Sequence, residues 1–225
     1  MKKIISAECL KMRYGTGMKL CLFFVIALSA INAGLHMSRD EYGTMYFMSE
    51  IFGLVISALF AGLFLSREYG NKTLYHTLHT GCSRTQIYFA KYISYMVSCF
   101  CFLALNMEVL FLTVMFLGKL GGEVSVVTVL VYVLAGIGYD MCLAGVFFFM
   151  GMMIKDSGIT VTAGIIISAW MVASSEILWT DRTYPLALER YEILQAIPVM
   201  NLSLTFAVTM LVVVVGSFLF RRKEL

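Results

Sequence analysis

The chain has 225 residues, 60% of them hydrophobic and only 14% charged, with a formal net charge of +3. A water-soluble globule, which carries about 25% charged residues, is excluded, and a net charge this small points away from nucleic acid. Apolar runs of roughly 17 to 25 residues match the length that ~30 Å of hydrocarbon demands, and they leave no room for a separate soluble domain.

Residues 1–19 hold Lys2, Lys3, Lys11, Arg13 and Lys19 against one acid, Glu8. A signal-peptide n-region followed by an apolar core at 20–35 is one reading. The stretch is long for that, and no clean A-x-A site follows it. It is therefore read as an N-terminal segment leading into a retained first span at about 20–35; a helix on the inner membrane surface is one form open to it, although its apolar residues do not make a clean stripe. A short outer loop precedes a second span at about 46–65, with Glu50 near its outer end. Residues 66–92 form the most polar long segment of the chain. A third span is expected at about 93–117 and, after a glycine-rich turn, a fourth at about 124–154, long enough to tilt or to break near Gly136 and Gly138. Lys155-Asp156-Ser157-Gly158 turns the chain into a fifth span, about 159–173. Residues 174–201, which hold both prolines, read as an extracellular loop. The last span, about 202–220, ends against Arg221-Arg222-Lys223. The expected fold is thus an all-α integral membrane protein of six transmembrane helices, a single domain over 1–225.

With six spans, one side carries Lys2, Lys3, Lys11, Arg13, Lys19, Arg67, Lys72, Arg84, Lys91, Lys155, Arg221, Arg222 and Lys223. The other carries only Arg39, Lys119, Arg182 and Arg190. The positive-inside bias then places both termini and residues 66–92 in the cytoplasm. The six cysteines (Cys9, Cys21, Cys82, Cys99, Cys101, Cys142) fall in spans or in cytoplasmic segments, which argues for reduced thiols. Cys99 and Cys101 point to different helix faces and do not converge on a metal. Small residues recur at four-residue spacing, Ala30 with Gly34, Ala58 with Gly62 and Gly164 with Ser168. Such pairs let helix backbones approach closely where lipid supplies no hydrophobic drive.

The polar segment reads as a helix, a break and a second helix. Leu74 and Leu78 sit four apart on one face, Gly81 is placed to end that helix, and Ser83-Arg84-Thr85-Gln86 fits a capping box opening the next. A short amphipathic helix on the inner face suits docking in a partner's groove, while an ordinary solvated loop with basic residues for topology fits the same residues. Here the sequence resembles the coupling region of the type 2 ABC exporter permeases, six-span subunits of bacterial ATP-driven exporters. Glu68, Gly70, Thr73, Gly81, Ser83, Arg84, Ala90 and Lys91 match that pattern, although Asn71 and Lys72 separate Gly70 from Thr73. Glu8 and Lys11 resemble the E-x-x-K often found at such N-termini.

The resemblance implies a coupling helix docked on a separate P-loop ATPase subunit, with Lys72, Leu74, Tyr75 and Leu78 joining the matched positions in that contact. It also implies a second permease subunit, identical or related, and a location in the bacterial plasma membrane. Nothing here matches G-x-x-x-x-G-K-[ST], so the chain is expected to bind no cofactor, with ATP and magnesium on the partner. Similar short permeases export antimicrobial peptides, lantibiotics or hydrophobic drugs, which makes a peptide or amphipathic substrate the expectation.

Glu108 and Asp140 are the deepest ionisable residues, and charges at such depth must face protein or water. They read either as part of a translocation path or proton relay, or as neutral carboxyls joining helices, with Asn32 and Asn106 as partners. A proton-coupled secondary carrier using these two residues is the alternative function. An intramembrane enzyme is disfavoured, because His36, His76 and His79 lie outside the spans and no G-x-S-x-G or H-E-x-x-H motif occurs.

Overall fold

A computed structural model describes residues 2–37, 42–66, 82–116, 126–154, 156–179 and 196–222. Among the described residues there are helices and no strands. They are α1 (Lys2–Tyr14), α2 (Thr16–Met37), α3 (Tyr42–Ala61) ending in a π-helical turn (Gly62–Ser66), α4 (Arg84–Phe116), α5 (Val126–Met153), α6 (Ser157–Trp179) and α7 (Ala196–Arg222). Three of them contain stretches long and apolar enough to cross a membrane, Thr16–Leu35, Arg84–Val109 and Gly136–Met153, and Ile51–Leu65 and Ser157–Trp170 are shorter apolar helices. α5 runs unbroken through Gly136 and Gly138. In lipid a broken helix must find other partners for its freed backbone groups, which outweighs the ~1 kcal/mol propensity cost of a glycine. α6 continues to Trp179 and α7 begins at Ala196, so helix enters both ends of the stretch read as an outer loop.

Helices α3, α4 and α5 form the centre, each packed on the other two. α2 lies against α3 and α4, α6 against α3 and the π-helical turn, and α7 against α5 and α4. α1 packs on α4 and α2. Two of the small-residue pairs explain one of these seams. A Cβ on Gly164 would stand 2.5 Å from the Cβ of Ala58, and one on Gly62 would strike Val161 and lie 3.0 Å from the Ser157 carbonyl oxygen. The Ser157 hydroxyl also donates to the Gly62 carbonyl at 2.9 Å, pinning the end of α3 to the start of α6. Asp156 caps that start, its carboxylate accepting from the Ile159 amide at 2.9 Å. The third pair faces outward: Ala30 and Gly34 are exposed, and a methyl added to Gly34 would meet nothing within 4 Å.

Interhelical hydrogen bonds supplement the close packing, at roughly 0.6 kcal/mol each on average. Ser29 of α2 donates to Asn106 Oδ1 on α4 at 2.5 Å, and Asn106 donates to the Ser49 carbonyl on α3 at 2.8 Å. Tyr95 donates to the Ser57 carbonyl and Thr209 to the Cys142 carbonyl, both at 2.9 Å.

Candidate functional site

At the basic end of the bundle the start of α4 is fixed from several directions. Its first turn carries the capping box: the Gln86 amide donates to Ser83 Oγ and the Ser83 amide to Gln86 Oε1, both at 3.3 Å. The Arg84 guanidinium donates at 3.2 Å to the Arg221 carbonyl at the end of α7, a cation satisfying a helix C-terminus.

One turn further in, Lys91 meets α1. Its ammonium lies 3.2 Å from Glu8 Oε2, and both side chains are only 2% exposed. Lys11 reaches the other Glu8 oxygen from the surface at 3.0 Å, and the Phe64 ring lies 5.6 Å from the Lys91 ammonium. A buried carboxylate held between two cations tolerates a setting that would exclude it alone. The contact continues inward, with Cys9 Sγ 3.8 Å from the Ser94 hydroxyl and the Ser98 hydroxyl donating to Met12 Sδ. Serines four apart on α4 thus follow the i, i+3/i+4 face that α1 covers. Gly15 closes α1 by donating its amide to the Met12 carbonyl at 3.1 Å; a Cβ there would stand 2.8 Å from the Lys11 carbonyl oxygen, so glycine is required at the turn into α2.

A collar of rings surrounds the same part of α4. Tyr88, Tyr92 and Tyr95 all reach Phe148 of α5, with centroids 5.2 to 5.7 Å apart. Tyr88 also meets Phe220 of α7, and Tyr95 stacks on Phe60 of α3 at 5.8 Å. Such ring pairs contribute about 0.5–1.5 kcal/mol each beyond burial. The spacing of Tyr88, Tyr92 and Tyr95 is itself a sequence signal for one helix face.

Of the residues singled out by sequence, Lys91 is brought together with Glu8 and Lys11, while Ser83 caps the first turn of α4 and Arg84 reaches the end of α7. Glu68, Gly70, Lys72, Thr73, Leu74, Tyr75, Leu78 and Gly81 lie outside the described residues. Asp140 is 1% exposed and sits near Asn106, since a methyl on Gly53 would stand 3.5 Å from Asn106 Nδ2 and 3.7 Å from Asp140 Oδ2. Asn32 is also buried, whereas Glu108 is exposed on the surface of α4. The two carboxylates therefore occupy different settings. Among the described residues no group of three or more His, Cys, Asp or Glu is placed to hold a metal ion.

Residues 4–170 match the family described as ABC-2 family transporter protein. The chain belongs to the ABC-2 transporter family. No curated protein and no solved structure matches it. As an ABC-2 transporter component it is a multi-pass membrane protein of the permease type. The matched region contains most of α1, all of α2 through α5 and most of α6, so the Glu8–Lys91 pair and the capping box lie inside it, while α7 lies beyond.

Proposed function

We propose that this ABC-2 permease is the membrane subunit of an ATP-driven exporter, moved by a separate P-loop ATPase that grips residues 66–92 from the cytoplasm. In this reading ATP and magnesium stay on the partner, and two permease subunits in a bacterial plasma membrane enclose the path, each with six spans and both termini inside. The observation that carries it is the setting of α4. This helix begins inside the polar segment, at Arg84, is capped by Ser83, and packs on α1, α2, α3, α5 and α7. A displacement delivered at its first turn would reach almost the whole bundle without an intervening flexible joint.

The cargo we propose is a peptide or amphipathic molecule, with Asp140 and Glu108 as candidate contacts along the path. The alternative is a proton-coupled secondary carrier using Glu108 or Asp140, but the sequence offers no clear inverted repeat for it. The test is Leu78→Glu in the reconstituted transporter. It should abolish substrate-stimulated ATPase activity while membrane insertion and recovery match wild type, and stimulation that survives the change refutes the docking role.

A further inference from the structure

The face of α1 that turns away from α4 has its own character. Leu10 and Tyr14, one helical turn apart, are 59% and 69% exposed. Lys11 and Arg13 are exposed beside them, and Lys19 is exposed five residues further on, at the start of α2. The one acid of the first 19 residues, Glu8, is turned inward and 2% exposed. This surface therefore combines an apolar ridge with three outward cations. Its position is set by Gly15, which separates α1 from the apolar stretch Thr16–Leu35. Immediately above Lys19, the exposed side chains of α2 are Leu20, Phe23 and Phe24, an outward set suited to hydrocarbon.

We propose that the exposed face of α1, together with Lys19, docks on the anionic phospholipid headgroups of the leaflet it borders. Leu10 and Tyr14 enter the boundary between headgroups and acyl chains, while Lys11, Arg13 and Lys19 meet the phosphates, as in an amphipathic helix lying in the interface plane. Continuity with the apolar face of α2 favours lipid over a soluble protein as the occupant. Lys11 gives the contact a consequence, because its ammonium also bonds the Glu8 carboxylate that pairs with Lys91. The lipid-facing surface is thereby one ion pair away from the buried joint with α4. This inference needs only the membrane placement of the chain and holds whatever moves the permease.

The test is native mass spectrometry of the full chain in neutral detergent, titrated with dioleoylphosphatidylglycerol or dioleoylphosphatidylcholine. Wild type should bind phosphatidylglycerol more tightly than phosphatidylcholine. Each cation removed should weaken phosphatidylglycerol about fivefold, so Lys11→Gln with Arg13→Gln and Lys19→Gln should weaken it on the order of a hundredfold and leave phosphatidylcholine binding alone. The charge-preserving set Lys11→Arg, Arg13→Lys and Lys19→Arg should keep the preference. Arg13→Gln and Lys19→Gln singly leave the Lys11–Glu8 pair intact and serve as the test if the triple variant is not recovered. Equal binding of the two lipids, or a preference unchanged in the glutamine variants, overturns the proposal. Displacement of phosphatidylglycerol by inorganic phosphate would assign the site to a free anion and overturn it as well. Protection of Lys11 and Lys19 from amine labelling in vesicles only when an ATPase subunit is present would assign the face to that protein instead.

Discussion

Glu8→Gln is the most informative single change. It removes the carboxylate charge from a buried ion pair and leaves the Lys91 ammonium, 2% exposed, with the Phe64 ring 5.6 Å away. Removing one partner of a buried pair costs about 3–5 kcal/mol, and the ring contact, present in both proteins, offsets none of it. The reverse change, Lys91→Met, is milder: Glu8 keeps Lys11 at 3.0 Å, and an apolar side chain replaces an apolar stem, so about 1–2 kcal/mol is expected from the same pair. The double variant places two uncharged side chains of similar size in contact and should lose no more than the milder single change. At roughly 2–4 °C per kcal/mol for a chain of this size, Glu8→Gln lowers the apparent Tm in a fixed detergent by about 6–20 °C, and the double variant restores most of that. Thermal unfolding of the four proteins forms a double-mutant cycle, with a coupling energy of about 3 kcal/mol or more expected from these losses. Additive losses from the two single changes would refute the pairing and the rigid attachment of α1 to α4.

Gly164→Leu should destabilise by about 1–3 kcal/mol, because its side chain would intrude on Ala58 across the α3–α6 seam, whereas Gly34→Ala, open to 4 Å, should leave the apparent Tm unchanged. A Tm equally insensitive to both would show that the seam is not closely packed. Ser83→Ala removes the acceptor of the Gln86 amide and should cost about 0.5–2 kcal/mol, seen as faster hydrogen exchange in the first turn of α4. Ser83→Asp, which supplies another capping oxygen, should restore protection there, and failure to do so would refute the capping assignment.

Much of this architecture is legible one element at a time. Ser83-Arg84-Thr85-Gln86 announces a helix start because a capping box is local chemistry, and the structure begins α4 at Arg84. Ala58 with Gly62 and Gly164 with Ser168 announce close packing, and Ala58 and Gly62 do meet α6. The same pattern at Ala30 and Gly34 faces outward, since four-residue spacing defines a helix face without defining what that face meets. The pairing of Glu8 with Lys91 spans 83 residues and leaves no trace in either neighbourhood; only packing α1 on α4 brings the two together. Arg84 offers a similar lesson. In the fold its guanidinium satisfies the end of α7, an orphan carbonyl that no local pattern announces. The π-helical turn at Gly62–Ser66 meets α6 closely at Gly62, through the Ser157 hydroxyl and Val161, and nothing in the local sequence announces it.

The 33-residue length of α4 carries a mechanical corollary. At about 1.5 Å per residue it is a rod roughly 50 Å long, gripped near Tyr95 by Phe60 and Phe148. Taken as a fulcrum, that point divides the rod into arms of roughly 17 Å and 32 Å. Were the rod to tilt about that point, a displacement at Arg84 would emerge near Phe116 about twice as large and in the opposite direction.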